Sequence, residues 1–198
     1  MTTTSPGTTP GGSTPDSSPT PDTAGPNADT KPAQPDRALN IQATQDSGTL
    51  FPLGVTGGFI APLYAFYEPL YDTRVDGTRR WILATGLDRI SDLQYTLTIR
   101  EGVTFSNGNP LTANDVKWTL DTILDPETAS PAQSDFAAIA GVDVIDDHTV
   151  DIILKTPFPN LLFVLSNTAA GIINQEAYEQ YGDEYGVKYV IGTGPYMF

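Results

Sequence analysis

Cysteine is absent from the 198 residues, which removes disulfides, thiol nucleophiles and zinc–thiolate sites together. Histidine is almost absent: His148 is the only one, so an imidazole zinc site would have no second His and no Cys to complete it. Basic residues are scarce, 10 Lys and Arg against 24 Asp and Glu for a net charge of −14. That balance argues against nucleic acid or an anionic membrane surface as partner, since both need clustered cations. No run of 18 apolar residues occurs, so no helical membrane span is expected. Residues 1–36 lack Val, Ile, Leu, Phe, Tyr and Trp altogether. A stretch with nothing to bury cannot offset the entropy of ordering its backbone. It is expected to be a disordered tether rich in Thr, Pro, Ser and Gly, with a span of about 30–36 Å as a flexible coil; a tail without function is the other possibility. Its opening Met-Thr-Thr-Thr-Ser-Pro has neither the basic nor the apolar region of a signal peptide.

From Arg37 onward the composition is that of a globular chain long enough for one sizeable core or two small ones. The patterning is mixed α/β. Leu39, Ile41 and Ala43 alternate with polar residues as a first strand. The Gly-rich stretch GVTGGFIAP leads into a helix in which Ile60, Leu63, Tyr67 and Leu70 fall near helical spacing and Pro62 sits early. Asp76-Gly77 marks a tight turn between short extended pieces. Tyr95, Leu97 and Ile99 alternate with Thr96, Thr98 and Arg100 as the clearest strand, and Val142 and Val144 pair with Val150, Ile152 and Leu154 across Asp146-Asp147-His148. The stretch LTANDVKWTLDTILDP has the signature of a helix: Thr112 caps it, Asp115 completes an acidic capping box, Val116, Leu120, Ile123 and Leu124 form the apolar stripe, and Pro126 ends it. A further helix is expected from Asn174 to Tyr181, closed by Gly182.

Chemistry is hard to find in these residues. His148 follows two aspartates in a turn, where a solvated side chain is the simpler assignment than a catalytic base without a partner. The carboxylates of GDEYG and Asp146-Asp147 lack the spacing of a calcium loop. GVTGG and GTG match neither dinucleotide-binding nor P-loop patterns. No cofactor, no metal and no catalytic residue is expected.

Four stretches occur in order: YEPLYD; LQYTLTIREGVTFSNGNPLTANDVKWTLDTILDPETASP; VDVIDDHTVDIILKTPFP; and GTGPYMF. This series resembles the family 5 extracellular solute-binding proteins of ATP-binding-cassette importers, the peptide/nickel group, over about residues 39–198. Tyr95 to Arg100, Gly102, Val103, Phe105, Asn107, Gly108, Pro110, Thr112, Ala113, Asp115 and Val116 match its strand–turn–helix motif. Asp146, Asp147, Thr149 and Val150 match its hairpin, and Gly192 to Tyr196 its returning strand. These residues read as scaffold: turn formers, caps and strand positions that need no ligand to explain them.

The resemblance implies a periplasmic-binding-protein-like two-lobed fold, truncated here to part of lobe I plus its accessory domain. The implied divisions are tether 1–36, lobe I 37–67, accessory domain 68–173, and a return to lobe I at 174–198. Val190, Ile191, Tyr196 and Phe198 would then sit at the edge of a sheet whose covering lobe is missing. The implied activity is capture of a peptide or another small solute for delivery to a membrane permease, outside the cytoplasm, from a lipid-anchored and otherwise monomeric protein. Relatives take oligopeptides, dipeptides, nickel chelates, haem or oligosaccharides. In this half, the resemblance puts ligand contact in the loop Val55-Thr56-Gly57-Gly58, for which a plain helix-leading turn is the alternative. Some peptide-binding relatives carry a tyrosine after the Ala129-Ser130-Pro131 equivalent, where this chain has Ala132. The rival functions are a sensor or chaperone on the same scaffold and a carboxylate-dependent hydrolase.

Overall fold

The structure is a computed structural model and describes residues 48–54, 60–73 and 76–198, except the side chains of residues 60, 61 and 168. The leader, the expected first strand at Leu39–Ala43 and the loop Val55–Gly58 lie outside the described residues. In chain order, a 3₁₀ turn at Pro52–Gly54 precedes α1 (Ile60–Leu63), β1 (Tyr71–Thr73), β2 (Arg79–Trp81), β3 (Ala84–Arg89), β4 (Gln94–Ile99) and α2 (Ala113–Leu124). After these come α3 (Gln133–Phe136), β5 (Ile139–Asp146), β6 (Thr149–Leu154), α4 (Leu161–Leu165) and α5 (Gln175–Tyr181).

Period-two patterning builds the main sheet. β3, β4, β6 and β5 lie side by side in that order, every pair antiparallel. Leu97 faces Val150 and Tyr95 faces Ile152 across one boundary, while Val144 faces Val150 and Val142 faces Ile152 across the other. The expected hairpin is thus present in the expected register, with its apolar residues on one face. The strand β5 begins earlier than its alternation suggests. A bulge at Ala140 lets Ile139 and Val142, three apart, both turn inward, because one extra residue resets the alternation. On the outer face Thr96, Asp151 and Asp143 are aligned, and Gln94 Nε2 donates to Asp151 Oδ2 at 2.7 Å.

Helix α2 packs on the inner face through Ala113, Val116, Thr119, Leu120 and Ile123, all buried. Each large aliphatic among them contributes about 1.5–3 kcal/mol by leaving water. Leu124, at the end of the stripe, is only partly buried. Asp125 is extended (φ −69°, ψ 120°), as expected before Pro126.

Two expectations are corrected. The helix expected over Ile60–Leu70 stops at Leu63 after a single turn. Tyr67 and Leu70 are nevertheless buried, at 1% and 0% exposure, so their spacing reflected burial alone. From Pro69 onward the chain is paired with the segment running into β3, Ile82 and Ala84 N–H donating to the Leu70 carbonyl, and such pairing excludes a helix. The Asp76-Gly77 turn is present: Asp76 Oδ1 accepts from Thr78 N–H at 2.8 Å and Gly77 has φ +81°. The second correction concerns the last residues. Val190 and Ile191 are buried, at 6% and 9% exposure, rather than lying at an open edge. Tyr196, Met197 and Phe198 are exposed, and Gly192–Tyr196 form no regular strand.

Candidate ligand-facing seam

The Val55–Gly58 loop lies outside the described residues, so the geometry available is that of the chain on either side of it. That chain leads through α1 to Ala65–Glu68, where the Gly192–Tyr196 segment lies alongside. Gly194 N–H donates to Phe66 O at 2.8 Å, Tyr196 N–H to Ala65 O at 3.0 Å, and Ser106 N–H to Gly192 O at 2.9 Å. The two glycines are there for room: a Cβ on Gly192 would stand 2.1 Å from Phe66 O, and one on Gly194 2.5 Å from Phe66 C. The Gly-Thr-Gly motif therefore serves a backbone-to-backbone seam rather than a phosphate cradle. At its outer end the Phe198 ring meets that of Phe66 edge-on at 6.1 Å.

Polar groups are concentrated along this seam. Tyr67 is buried, and its hydroxyl has no hydrogen-bond partner of ordinary geometry. The hydroxyl of Tyr185, also buried, lies close by and donates to the Ile191 carbonyl. Burial holds both phenols well above their usual range; the neighbouring Tyr185 pushes Tyr67 further up. For Tyr185, Tyr67 and the Asn174 backbone pull the other way, and the Asp115 charge pushes up again. Glu68 is half-buried, and desolvation raises its carboxyl above the usual value. The Thr193 hydroxyl beside it and the charges of Arg80 and Arg100 offset part of that rise, although Thr193 Oγ1 itself makes no hydrogen bond of ordinary geometry. Tyr67 and Glu68 fall in the YEPLYD stretch, Thr193 in GTGPYMF and Tyr185 in GDEYG, and none of these stretches brings the four together. The one signal for them is a carboxylate set inside the apolar run Tyr-Glu-Pro-Leu-Tyr at 67–71.

Behind the seam an aromatic cluster leads to α2. Phe51 stacks on Tyr178 at 5.4 Å, Tyr178 meets Tyr185 at 5.7 Å, and Trp118 tilts against Tyr178 at 4.8 Å. Next to it the α2 cap is more elaborate than a capping box. Asp115 Oδ2 accepts from Thr112 N–H at 2.9 Å and from the Thr112 hydroxyl at 2.8 Å. Thr112 therefore donates to the aspartate, and Asp115 N–H reaches the Thr112 carbonyl at 3.2 Å. Asp115 Oδ1 accepts from Asn174 Nδ2 at 3.2 Å and from Gln175 N–H at 3.0 Å. Asn174 in turn caps α5, its Oδ1 accepting from Ala177 N–H at 3.2 Å, and Gly182 closes the helix with φ +52°.

Elsewhere the expected residues stay apart. His148 sits in the β5–β6 turn, its N–H donating to Asp146 Oδ1 at 2.8 Å, and the turn's hydrogen bonds hold Asp146 below the usual carboxylate range. Ser130 is structural, its buried hydroxyl donating to Leu53 O at 2.9 Å, and Ala132 is buried beside it. Among the described residues no group of three His, Cys, Asp or Glu could hold a metal ion. A cleft of about 290 Å³ runs past Asn109, Asn174 and Glu176, but these side chains bond one another: Asn109 Nδ2 donates to Glu176 Oε2 at 2.9 Å and to Asn174 Oδ1 at 3.2 Å.

This combination of a scaffold sheet, a capped helix and a glycine seam can be compared with known proteins. The family model described as "Bacterial extracellular solute-binding proteins, family 5 Middle" matches residues 82–198, more than half of the chain. The chain belongs to this family. The glutathione-binding protein GsiB of Salmonella typhi is 35% identical over 134 residues, 67% of this chain and 26% of that protein. GsiB of Pectobacterium atrosepticum is 37% identical over 135 residues, covering 68% and 26%. Among solved structures, the pheromone receptor PrgZ, described with its mode of peptide binding, superposes with a TM-score of 0.69 at 29% identity, over 74% of this chain and 33% of that one. MoaA of A. tumefaciens R10, solved with mannopinic acid, gives 0.70 at 30% identity, over 75% and 31%. The family 5 chain thus spans about a quarter of the length of these curated relatives and about a third of the solved ones. Its structural neighbours are two-lobed periplasmic binding proteins, so its mixed α/β fold is part of that architecture. Its relatives bind solutes and are not enzymes.

Proposed function

We propose that this family 5 chain contributes to a two-lobed clamp that captures a peptide or a related amino-acid-derived solute and delivers it to the membrane permease of an ATP-binding-cassette importer. The observation that carries the proposal is the family match over residues 82–198, supported by relatives named for glutathione and peptide binding. A clamp of this type works because only the closed form touches the solute with both lobes, so solute shifts the population toward closure. In this scheme residues 37–67 and 174–198 belong to lobe I, residues 68–173 form the accessory domain, and residues 1–36 tether the clamp to a lipid anchor. The paired segments 65–68 and 192–196 support the lobe assignment, since they come from the two ends of the globular part and share backbone hydrogen bonds. Val55, Thr56, Gly57 and Gly58 face the solute, their glycines letting it approach the backbone. The clamp acts as a monomer outside the cytoplasm, without cofactor or metal.

A polypeptide carrying both lobes tests this. Its unfolding temperature should rise with at least one of glutathione, short peptides or an opine, through preferential binding to the folded state, and mass spectrometry should recover the solute intact. Cleavage of the solute would favour a hydrolase; no rise with any of them would remove peptide-like solutes from the proposal. PrgZ, a receptor, favours one second role: handing a peptide signal to a sensor. Uptake of labelled solute by cells carrying the protein separates the two, because a pure sensor accumulates none.

A further inference from the structure

The Asp115 carboxylate serves two helices at once. It is 5% exposed, and its two oxygens face four donors: Thr112 N–H and hydroxyl on Oδ2, Asn174 Nδ2 and Gln175 N–H on Oδ1. Every partner is a donor, so only an acceptor at both oxygens satisfies them all. An amide in its place would turn an NH₂ group toward one pair of donors. Asn174, 3% exposed, spends its own Oδ1 on Ala177 N–H, Asn107 Nδ2 and Asn109 Nδ2, each at 3.2 Å. The start of α2, the Asn107–Asn109 turn and the start of α5 are therefore fastened at one point. Helix α5 continues into the stretch that carries Tyr185 and Gly192–Gly194. The Tyr185 ring lies against Tyr178 of α5 at 5.7 Å, and its hydroxyl bonds Ile191 O beside Tyr67.

We infer that Asp115 is the positioning residue of the seam: through Asn174 and α5 it holds Tyr185 and residues 190–194 in place against Ala65–Glu68. It joins the accessory sheet to the lobe I strip as one body, so that clamp motion leaves this joint unaltered. The assignment of this strip to lobe I rests on the proposed function; the joint itself is tested without any ligand. The effect of the Asp115 charge on the Tyr185 phenol is consistent with their proximity.

The test is hydrogen exchange on the 198-residue chain and three variants. Asp115→Asn should speed amide exchange over residues 175–194 by about tenfold or more while β4 and β6 stay within about twofold. Asn174→Ala, which keeps the carboxylate and removes the second half of the joint, should show the same footprint. Thr112→Val, which removes one donor at the α2 end only, should leave residues 175–194 unchanged. Equal acceleration throughout the sheet would mean a general core role and overturn the inference. So would unchanged exchange over 175–194 in Asp115→Asn, or a Thr112→Val footprint equal to that of Asp115→Asn. If Asp115→Asn fails to fold, Asn174→Ala alone decides by the same criterion.

Discussion

Replacing Gly192 with alanine adds one methyl group, and the structure leaves no place for it. The new Cβ would stand 2.1 Å from Phe66 O and 2.9 Å from both Phe66 C and Tyr67 Cδ1, where real Cβ contacts stay beyond 3.0 Å. The nearest of these atoms is a backbone carbonyl, which cannot rotate away as a side chain can. One of the two segments must move by roughly 1 Å, and overpacking of this kind costs about 1–3 kcal/mol. The same shift strains the bonds from Gly194 N–H to Phe66 O and from Ser106 N–H to Gly192 O, each worth about 0.5–1.5 kcal/mol. The expected loss is about 2–6 kcal/mol, or about 4–24 °C in unfolding temperature for a chain of this size. Gly86→Ala is the control, because a Cβ there meets nothing within 4 Å; it should lie within about 0.5 kcal/mol of the parent. Thermal and denaturant unfolding followed by circular dichroism measure both. A Gly192→Ala protein as stable as the control would refute the seam as described.

Glu68→Gln should be no less stable than the parent at neutral pH, despite Arg80 and Arg100 nearby. Burial raises the Glu68 carboxyl in the folded state, so the folded chain binds its proton more readily than the unfolded chain. Its contribution is therefore favourable at low pH and is lost as pH rises through the folded-state value. The Gln variant should lack that fall, and denaturation midpoints across the acid-to-neutral range that drop at neutral pH for the variant alone would contradict the sign. Thr112→Val should cost about 1 kcal/mol, the worth of one hydrogen bond to a charged group at a helix start, with solute affinity unchanged; a large affinity loss at equal stability would move Thr112 from scaffold to site. Ile123→Ala should cost about 2–5 kcal/mol, since Ile123 is fully buried beneath the sheet; a loss below about 1 kcal/mol in denaturant unfolding would show that α2 is not seated there.

What could be read from the residues alone follows from range. The α2 boundaries, the β5–β6 register and the α5 caps were legible because Thr112, Asp115, Pro126, Asn174 and Gly182 act within a few residues of themselves. The helix over Ile60–Leu70 was overextended because burial of Tyr67 and Leu70 imitates a helical stripe, while the pairing that unwinds it comes from Ile82 and Ala84. Gly192 and Gly194 match the family's returning strand only by resemblance, and their physical cause lies at Phe66, far away in sequence. Asp115 was legible as a cap, but its bonds to Asn174 and Gln175 depend on a helix that starts 60 residues later. Burial of Glu68 carries even less local trace, since nothing beside it in the chain reveals what covers it. Resemblance supplied the family and the loop Val55–Gly58, whereas the residues themselves supplied no chemistry.

The most direct measurement of the central claim is a hydrogen-exchange footprint of bound solute on a polypeptide carrying both lobes. At saturation, peptide or glutathione should protect Val55–Gly58 and the stretch Ala65–Glu68 while leaving the outer face of β3, β4, β6 and β5 unchanged. Protection confined to that sheet face or to the cleft at Asn109 and Glu176, with none at Val55–Gly58, would contradict it.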